Sequence, residues 1–254
     1  MIDDLKGKVV LVTGASTGIG AAAARGFGAN GCKVLVHFNR SADAARSVVA
    51  GIRHAGGDAT ALQADVMDTG AIGRLVAETI KQFGRIDVLV NNAGDLVGRH
   101  PVTEISDEFF DQVMHLNARS MIAACRETVP HMRKQGGGNI INVTSVAARV
   151  GGGAGAVMYA AAKGFVSTAT RGLAKELTKD NIRVNAVAPG VVATPFHERH
   201  TSNAQLEAFR AGIPMARLGE ADECTGAFLY LASDSLSSYV TGQILEVNGG
   251  QLMP

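Results

Sequence analysis

Lys8-Val9-Val10-Leu11-Val12-Thr13-Gly14-Ala15-Ser16-Thr17-Gly18-Ile19-Gly20 sets the architecture of everything that follows it. Its first half is a continuous apolar run rich in β-branched residues, which suits a strand covered on both faces in a parallel sheet. The second half is a glycine loop. Ala21 to Asn30 then has helical composition, with Gly31 placed as a C-terminal stop. Strand, glycine loop and helix together let the backbone turn tightly and approach a pyrophosphate, whose charge rests on the helix N-terminus. The spacing is Gly-x-x-x-Gly-x-Gly, not Gly-x-Gly-x-x-Gly. Such glycines can be mere loop geometry, but the flanking strand and helix favour phosphate binding.

Outward from this unit, strands are expected at 33–38, 58–64, 85–90, 138–144, 182–188 and 243–247, with helices at 41–55, 69–83, 106–134, 157–178 and 221–232. Regular alternation of strand and helix marks a parallel sheet wrapped on both faces. The fold class is therefore α/β, a doubly wound seven-stranded Rossmann-type sheet in one domain spanning 1–254. Ligands of such sheets lie at the C-terminal ends of the strands. That edge carries Asn91-Asn92-Ala93-Gly94, Ser145, Pro189-Gly190 and Asp65, which either accepts from an adenine amino group or caps the next turn. Asn117 falls inside a long helical stretch, as a tolerated surface residue or a functional one. The polar segment Thr194-Pro195-Phe196-His197-Glu198-Arg199-His200 reads as mobile.

Composition narrows the partners. The chain has 254 residues, 46% of them hydrophobic and 19% charged, enough for one complete core. Its formal net charge is +1, so no strong field points to nucleic acid or an anionic membrane, and a small molecule is the expected partner. Cys32, Cys125 and Cys224 are scattered, odd in number and without metal-ligand spacing, which suits a reducing compartment and no metal site. No signal segment or membrane-length apolar run is found, so the expected location is the cytoplasm.

Tyr159-Ala160-Ala161-Ala162-Lys163 sets a phenol and an ammonium four residues apart on one helix face. Working as a proton donor at neutral pH requires the phenol to drop by about three pKa units, or about 4 kcal/mol. An ammonium at ~4 Å in an effective dielectric of ~20 supplies about that much. The spacing alone also arises by chance, so its weight comes from the rest of the chain.

Taken together, Thr13-Gly14-x-x-x-Gly18-x-Gly20, Asp65, Asn91-Asn92-Ala93-Gly94, Asn117, Ser145, Tyr159-x-x-x-Lys163 and Pro189-Gly190-x-x-x-Thr194 resemble the short-chain dehydrogenase/reductase family from Lys8 to Gly250. The look is closest to the branch of 3-oxoacyl-carrier-protein reductases and small sugar dehydrogenases. The resemblance implies a nicotinamide cofactor, a homotetramer, and Asn117, Ser145, Tyr159 and Lys163 as a catalytic tetrad. It places Gly14, Ser16, Thr17, Gly18, Ile19, Gly20, Asp65, Val66, Asn92, Ala93, Gly94, Pro189, Gly190, Val192 and Thr194 around the cofactor, with Tyr159 and Lys163.

Sites selective for NAD usually end the second strand with an acid. Here the region reads His37-Phe38-Asn39-Arg40-Ser41, and Asn39, Arg40 and Ser41 can instead meet a 2′-phosphate. Arg40 as a merely solvated residue is the competing reading, and Thr17 stands where NADP(H)-preferring relatives often carry a basic residue. The expectation is NADP(H), with NAD(H) possible. Substrate is expected between Asp95 to Pro101, Arg149 to Met158 and the segment after Gly190. Three functions stay open: a ketone reductase of the 3-oxoacyl-thioester type, a sugar or polyol dehydrogenase, and a non-catalytic nicotinamide-binding sensor, which would not need the intact tetrad.

Overall fold

The computed structural model describes residues 1–254. β1 (Val9–Val12) passes through the glycine loop into α1 (Gly18–Ala29), followed by β2 (Lys33–Phe38), α2 (Ala42–His54), β3 (Asp58–Gln63), α3 (Thr69–Phe83) and β4 (Val88–Asn91). The second half runs α4 (Asp107–Met114), a π-helical turn (His115–Arg119), α5 (Ser120–Lys134), β5 (Gly138–Val143), α6 (Ala147–Val150) and α7 (Val157–Leu177). It continues with β6 (Ile182–Pro189), β7 (Val192–Ala193), α8 (Pro195–His200), α9 (Asn203–Ala211), β8 (Gly219–Glu220), α10 (Thr225–Ala232), α11 (Asp234–Ser237) and β9 (Ile244–Val247).

Seven strands form one parallel sheet in the order β3-β2-β1-β4-β5-β6-β9, as the sequence pattern predicted. Alternation within each apolar run splits the core into two layers. Val10, Val12, Val34, Val36, Val88, Val90 and Ile141 face α1, α2 and α10 through Phe27, Ile52 and Phe228. Leu11, Leu35, Leu89 and Ile140 point the other way, onto Ile72 and Leu75 of α3, Met121 and Met132 of α5 and Val166 of α7. No helix is long and apolar enough to cross a membrane.

The strand order reverses at β1, which pairs with β2 on one side and β4 on the other. The chain leaves this pair in opposite directions, and the crevice so opened holds the glycine loop and Asn91–Gly94.

Three local expectations change. The long helix at 106–134 is broken by the π-helical turn, and Asn117 sits inside it, buried. The stretch after Ser145 forms the short helix α6 before its glycines. The segment expected to be mobile, 194–200, is the two-turn helix α8 with Pro195 at its first turn, and its far end is fastened to Asp95. A second small parallel pair, β7 with β8, anchors the chain on the near side of α8.

Candidate active site

The glycine loop is held open from beneath. Gly14 and Gly18 adopt φ of +63° and +56°, the left-handed region that disfavours side chains. A methyl at Gly14 would meet the Ala93 Cα at 3.0 Å, and one at Gly20 would collide with Asn92 Nδ2 and the Gly14 carbonyl. Asn92 braces the loop, its Nδ2 donating to the carbonyls of Thr13 at 2.9 Å and Gly14 at 3.0 Å. Thr13 Oγ1 returns the tie, accepting from the amides of Asn92 and Ala93 at 3.0 Å each. Thr17 caps α1 without a side-chain hydrogen bond, and no acid occupies the first turn, so its amides stay available to an anion. Ser16 and Ile19 stand on this loop, partly exposed.

His37, on β2, was no site candidate from the sequence, yet it holds the loop. Its Nδ1 accepts from the Gly14 N–H at 2.9 Å and its Nε2 lies 3.0 Å from the Ala64 carbonyl. An amide donor on one side and a carbonyl on the other fix the neutral tautomer with the proton on Nε2. Burial pushes its pKa down. A histidine inside an otherwise apolar strand is the only sign of this in the sequence.

The tetrad residues converge at the ends of β4 and β5. Asn117 accepts from the Asp95 N–H at 3.2 Å and donates to the carbonyls of Asp95 at 2.8 Å and Val113 at 3.0 Å. Gly94 lies against it: a methyl there would come within 2.6 Å of Asn117 Oδ1 and 3.1 Å of Lys163 Nζ. Ser145 Oγ accepts from the Ala147 N–H at 3.1 Å, which turns the chain into α6. Tyr159 and Lys163 share the first turns of α7, with Lys163 Nζ 5.7 Å from the Tyr159 ring centroid.

The electrostatics differ from the expectation. Burial pushes the Tyr159 phenol up to about 12, with the Ser145 hydroxyl pulling it back and Asp95 adding to the rise. Burial also brings the Lys163 ammonium down to about 8. Lys163 donates to the Val143 carbonyl at 2.8 Å, which holds its ammonium against the end of the sheet. Desolvation of both groups outweighs their mutual effect here.

Along the rest of the edge, Asp65 takes the turn-capping role, accepting from the Met67 N–H at 3.0 Å with its side chain otherwise exposed, and Val66 is buried beside it. Asn39 and Arg40 are exposed at the end of β2, and Ser41 caps α2 without a side-chain bond. Opposite them, Gly190 packs on Asn248, where a methyl would meet the Cβ at 2.7 Å. The Pro189 carbonyl accepts from Val146, Val192 is buried, and the Thr194 methyl faces Gly18. Beyond it, the Phe196 ring of α8 lies 5.6 Å from the Tyr159 ring. The glycine cradle, the uncapped amides of α1 and the polar groups at the sheet switch point fit a dinucleotide.

Such a sheet with such a site defines a nicotinamide-binding oxidoreductase. Residues 14–251 match the family model described as enoyl-(acyl carrier protein) reductase. The 3-oxoacyl-[acyl-carrier-protein] reductase of Synechocystis sp. is 41% identical over 249 residues, 98% of each chain. The 3β-hydroxysteroid dehydrogenase 1 of Eggerthella lenta is 39% identical over 255 residues, covering 100% of this chain and 97% of its own. Among solved structures, an NADH-dependent reductase A1-R′ responsible for alginate metabolism superposes with a TM-score of 0.91 at 40% identity, covering 99% of this chain and 100% of that one. The chain belongs to the short-chain dehydrogenase/reductase family, and is an NAD(P)-dependent enzyme acting on alcohol and carbonyl groups.

Proposed function

We propose that the protein is an NADP(H)-dependent reductase that interconverts a ketone and a secondary alcohol, with Tyr159 as the acid or base. The observation that carries this reading is the convergence of Asn117, Ser145, Tyr159 and Lys163 beside the glycine cradle, at one crevice of the sheet. The cofactor, when bound, supplies or takes the hydride. It would be held by the glycine loop, by Asp65 and Val66 at the adenine end, by Asn92, Ala93 and Gly94 along the crevice, and by Tyr159, Lys163, Pro189, Gly190, Val192 and Thr194 at the nicotinamide end. Ser145 Oγ holds the substrate oxygen, and Tyr159 Oη delivers or removes its proton.

Lys163 orients the reaction from below, and the proton lost by Tyr159 is replaced through it. A buried cavity of about 10 Å³, lined among others by Asn91, Asn117, Ser120 and Lys163, supports this route, since it is about the size of one water and Asn91 Oδ1 in its wall lacks a partner. NADP(H) is favoured over NAD(H) because the end of β2 offers Asn39, Arg40 and Ser41 and no acid.

A second reading, a reductase of sugar-derived carbonyls, is favoured by the alginate-metabolism reductase at 40% identity. A homotetramer belongs to either reading: Phe110 of α4 and Val157 and Phe165 of α7 leave about half their surface exposed, apolar area that a subunit contact would cover. A spectrophotometric screen of NADPH and NADH against acetoacetyl thioesters, diketones, aldoses and cyclic ketones tests the reading. Oxidation of neither cofactor by any of them would remove it.

A further inference from the structure

Arg99 stands where three segments close around the reactive edge. It sits on its own loop after β4, its Nε donates to the His200 carbonyl at the end of α8 at 2.9 Å, and its Nη1 donates to the Ala154 carbonyl ahead of α7 at 2.9 Å. The next residue continues the seam, the His100 N–H donating to the Gly155 carbonyl. From there the wall reaches the predicted acid in two steps. The Phe196 ring lies 5.5 Å from the His200 ring on one side and 5.6 Å from the Tyr159 ring on the other.

Every other arginine around this mouth has a carboxylate. Arg199 reaches Asp95 at 3.4 Å, and Arg149 reaches Glu246 at 4.0 Å. Arg99 has none within ion-pair distance; both its acceptors are carbonyls, and Nη2 has no partner in the protein. Arg99 is partly exposed, so Nη2 of its charged guanidinium is free to pair with an incoming group. Its surroundings register that charge: burial lowers the pKa of Arg99 itself, and His197 is brought down to about 4 by burial, with Arg99 and His200 adding to the fall.

The backbone adds a second, independent sign. Val97, two residues before Arg99, adopts a φ of +67°. A β-branched residue in that region is strained, and functional sites are among the places where such strain is held.

We propose that Arg99 recognises substrate, and that the enzyme selects carbonyl compounds that also carry a carboxylate. This inference rests on the reductase reading above. A carboxylate suits the site better than a phosphate. One positive charge is uncompensated, and Asp95, already engaged by His200 at 2.7 Å and by Arg199, would repel a dianion.

The test uses matched pairs that differ only in the charge: pyruvate, acetoacetate and levulinate against their methyl esters, and glucuronate against glucuronamide. Each is assayed with NADPH and NADH on the full-length protein and on Arg99→Gln and Arg99→Lys, with cofactor affinity followed separately by nicotinamide fluorescence. The expected result is a preference for at least one acid over its uncharged partner. Arg99→Gln should raise KM for that acid by about 10- to 100-fold more than for its uncharged partner, the weight of a charged hydrogen bond, the two compounds sharing any loss from the broken ties to His200 and Ala154, while cofactor affinity stays within about threefold. Arg99→Lys should restore part of the loss. Equal handling of acid and ester by the unaltered enzyme overturns the proposal. So does an equal loss of both in Arg99→Gln, because Arg99 would then only strap α8 to the loop before α7. Reduction of no compound with either cofactor, while the cofactor still binds, removes the reductase reading and this inference with it.

Discussion

Lys163 Nζ donates to the Val143 carbonyl at 2.8 Å, so the buried ammonium of α7 is fixed to the last residue of β5. Its pKa is lowered from 10.5 to about 8. Because the folded chain holds this proton less tightly than the unfolded one, the charge opposes folding below pH 8, and stability recovers as the pH rises from 8 towards 10.5. Lys163→Met should therefore stabilise the fold at pH 7 by about 1–2 kcal/mol, after allowing for the lost donor to Val143. It should also abolish turnover. Urea unfolding at pH 7 and at pH 10 checks this: the gain should shrink at the higher pH, and a variant less stable at pH 7 contradicts the account.

Tyr159→Phe removes one oxygen and leaves the ring beside Phe196. General acid–base catalysis contributes about 10²–10⁴-fold, so kcat should fall by that factor. Cofactor affinity, measured by fluorescence quenching, should change by no more than about threefold, under 1 kcal/mol. Substantial hydride transfer in the variant would exclude the phenol from the reaction.

The Arg40 side chain has no hydrogen-bond or ion-pair partner within the chain and lies exposed at the end of β2. Arg40→Glu should weaken NADPH by about 10-fold or more, a loss of one charge-assisted pair plus new repulsion. NADH should bind as well or better. A ratio of kcat/KM values that already favours NADH in the unaltered enzyme would reverse the assignment.

His37 gives the fold an acid limit. Its pKa is lowered by burial, so below pH about 6.5 the unfolded chain takes up a proton that the folded chain resists, and stability is lost as the pH falls. His197, lowered to about 4 by burial, with Arg99 and His200 adding to the fall, acts in the same direction. His37→Asn should flatten the decline of Tm between pH 7.5 and 5.5, as set by that unperturbed histidine value of about 6.5. An unchanged slope would show that His37 takes up its proton equally in the folded and unfolded states.

The sheet was legible because most strands are short apolar runs, four of them ended by glycine, asparagine or proline, and because central parallel strands buried on both faces need no finer pattern. Tyr159 and Lys163 were legible through helical spacing. Asn117 was visible only as a helix interior that disfavours asparagine, since a π-helical turn differs from its neighbours by one residue in the hydrogen-bond ladder and leaves no compositional mark. Helix α8 escaped notice because its six residues, Pro195 followed by five polar or aromatic ones, have no apolar period; contacts to Asp95 and Tyr159 fix it. The roles of His37 and Arg99 depend on partners 23 to 101 positions away. Spacing along the chain cannot display such pairings.

The strand order β3-β2-β1-β4-β5-β6-β9 also governs when the site can exist during folding. Every pairing in it is parallel and joins segments separated by a crossover, so each closes a long loop before its contacts are rewarded. The cradle draws on Gly14 and Asn92, the tetrad on Asn117 to Lys163, and Thr194 completes the arc against Gly18. A nascent chain that has emerged only through β4 already carries the phosphate loop and its braces, with none of the proton chemistry. The phosphate loop and its braces thus arise earlier in the chain than the proton chemistry and than the residues that close over the nicotinamide end.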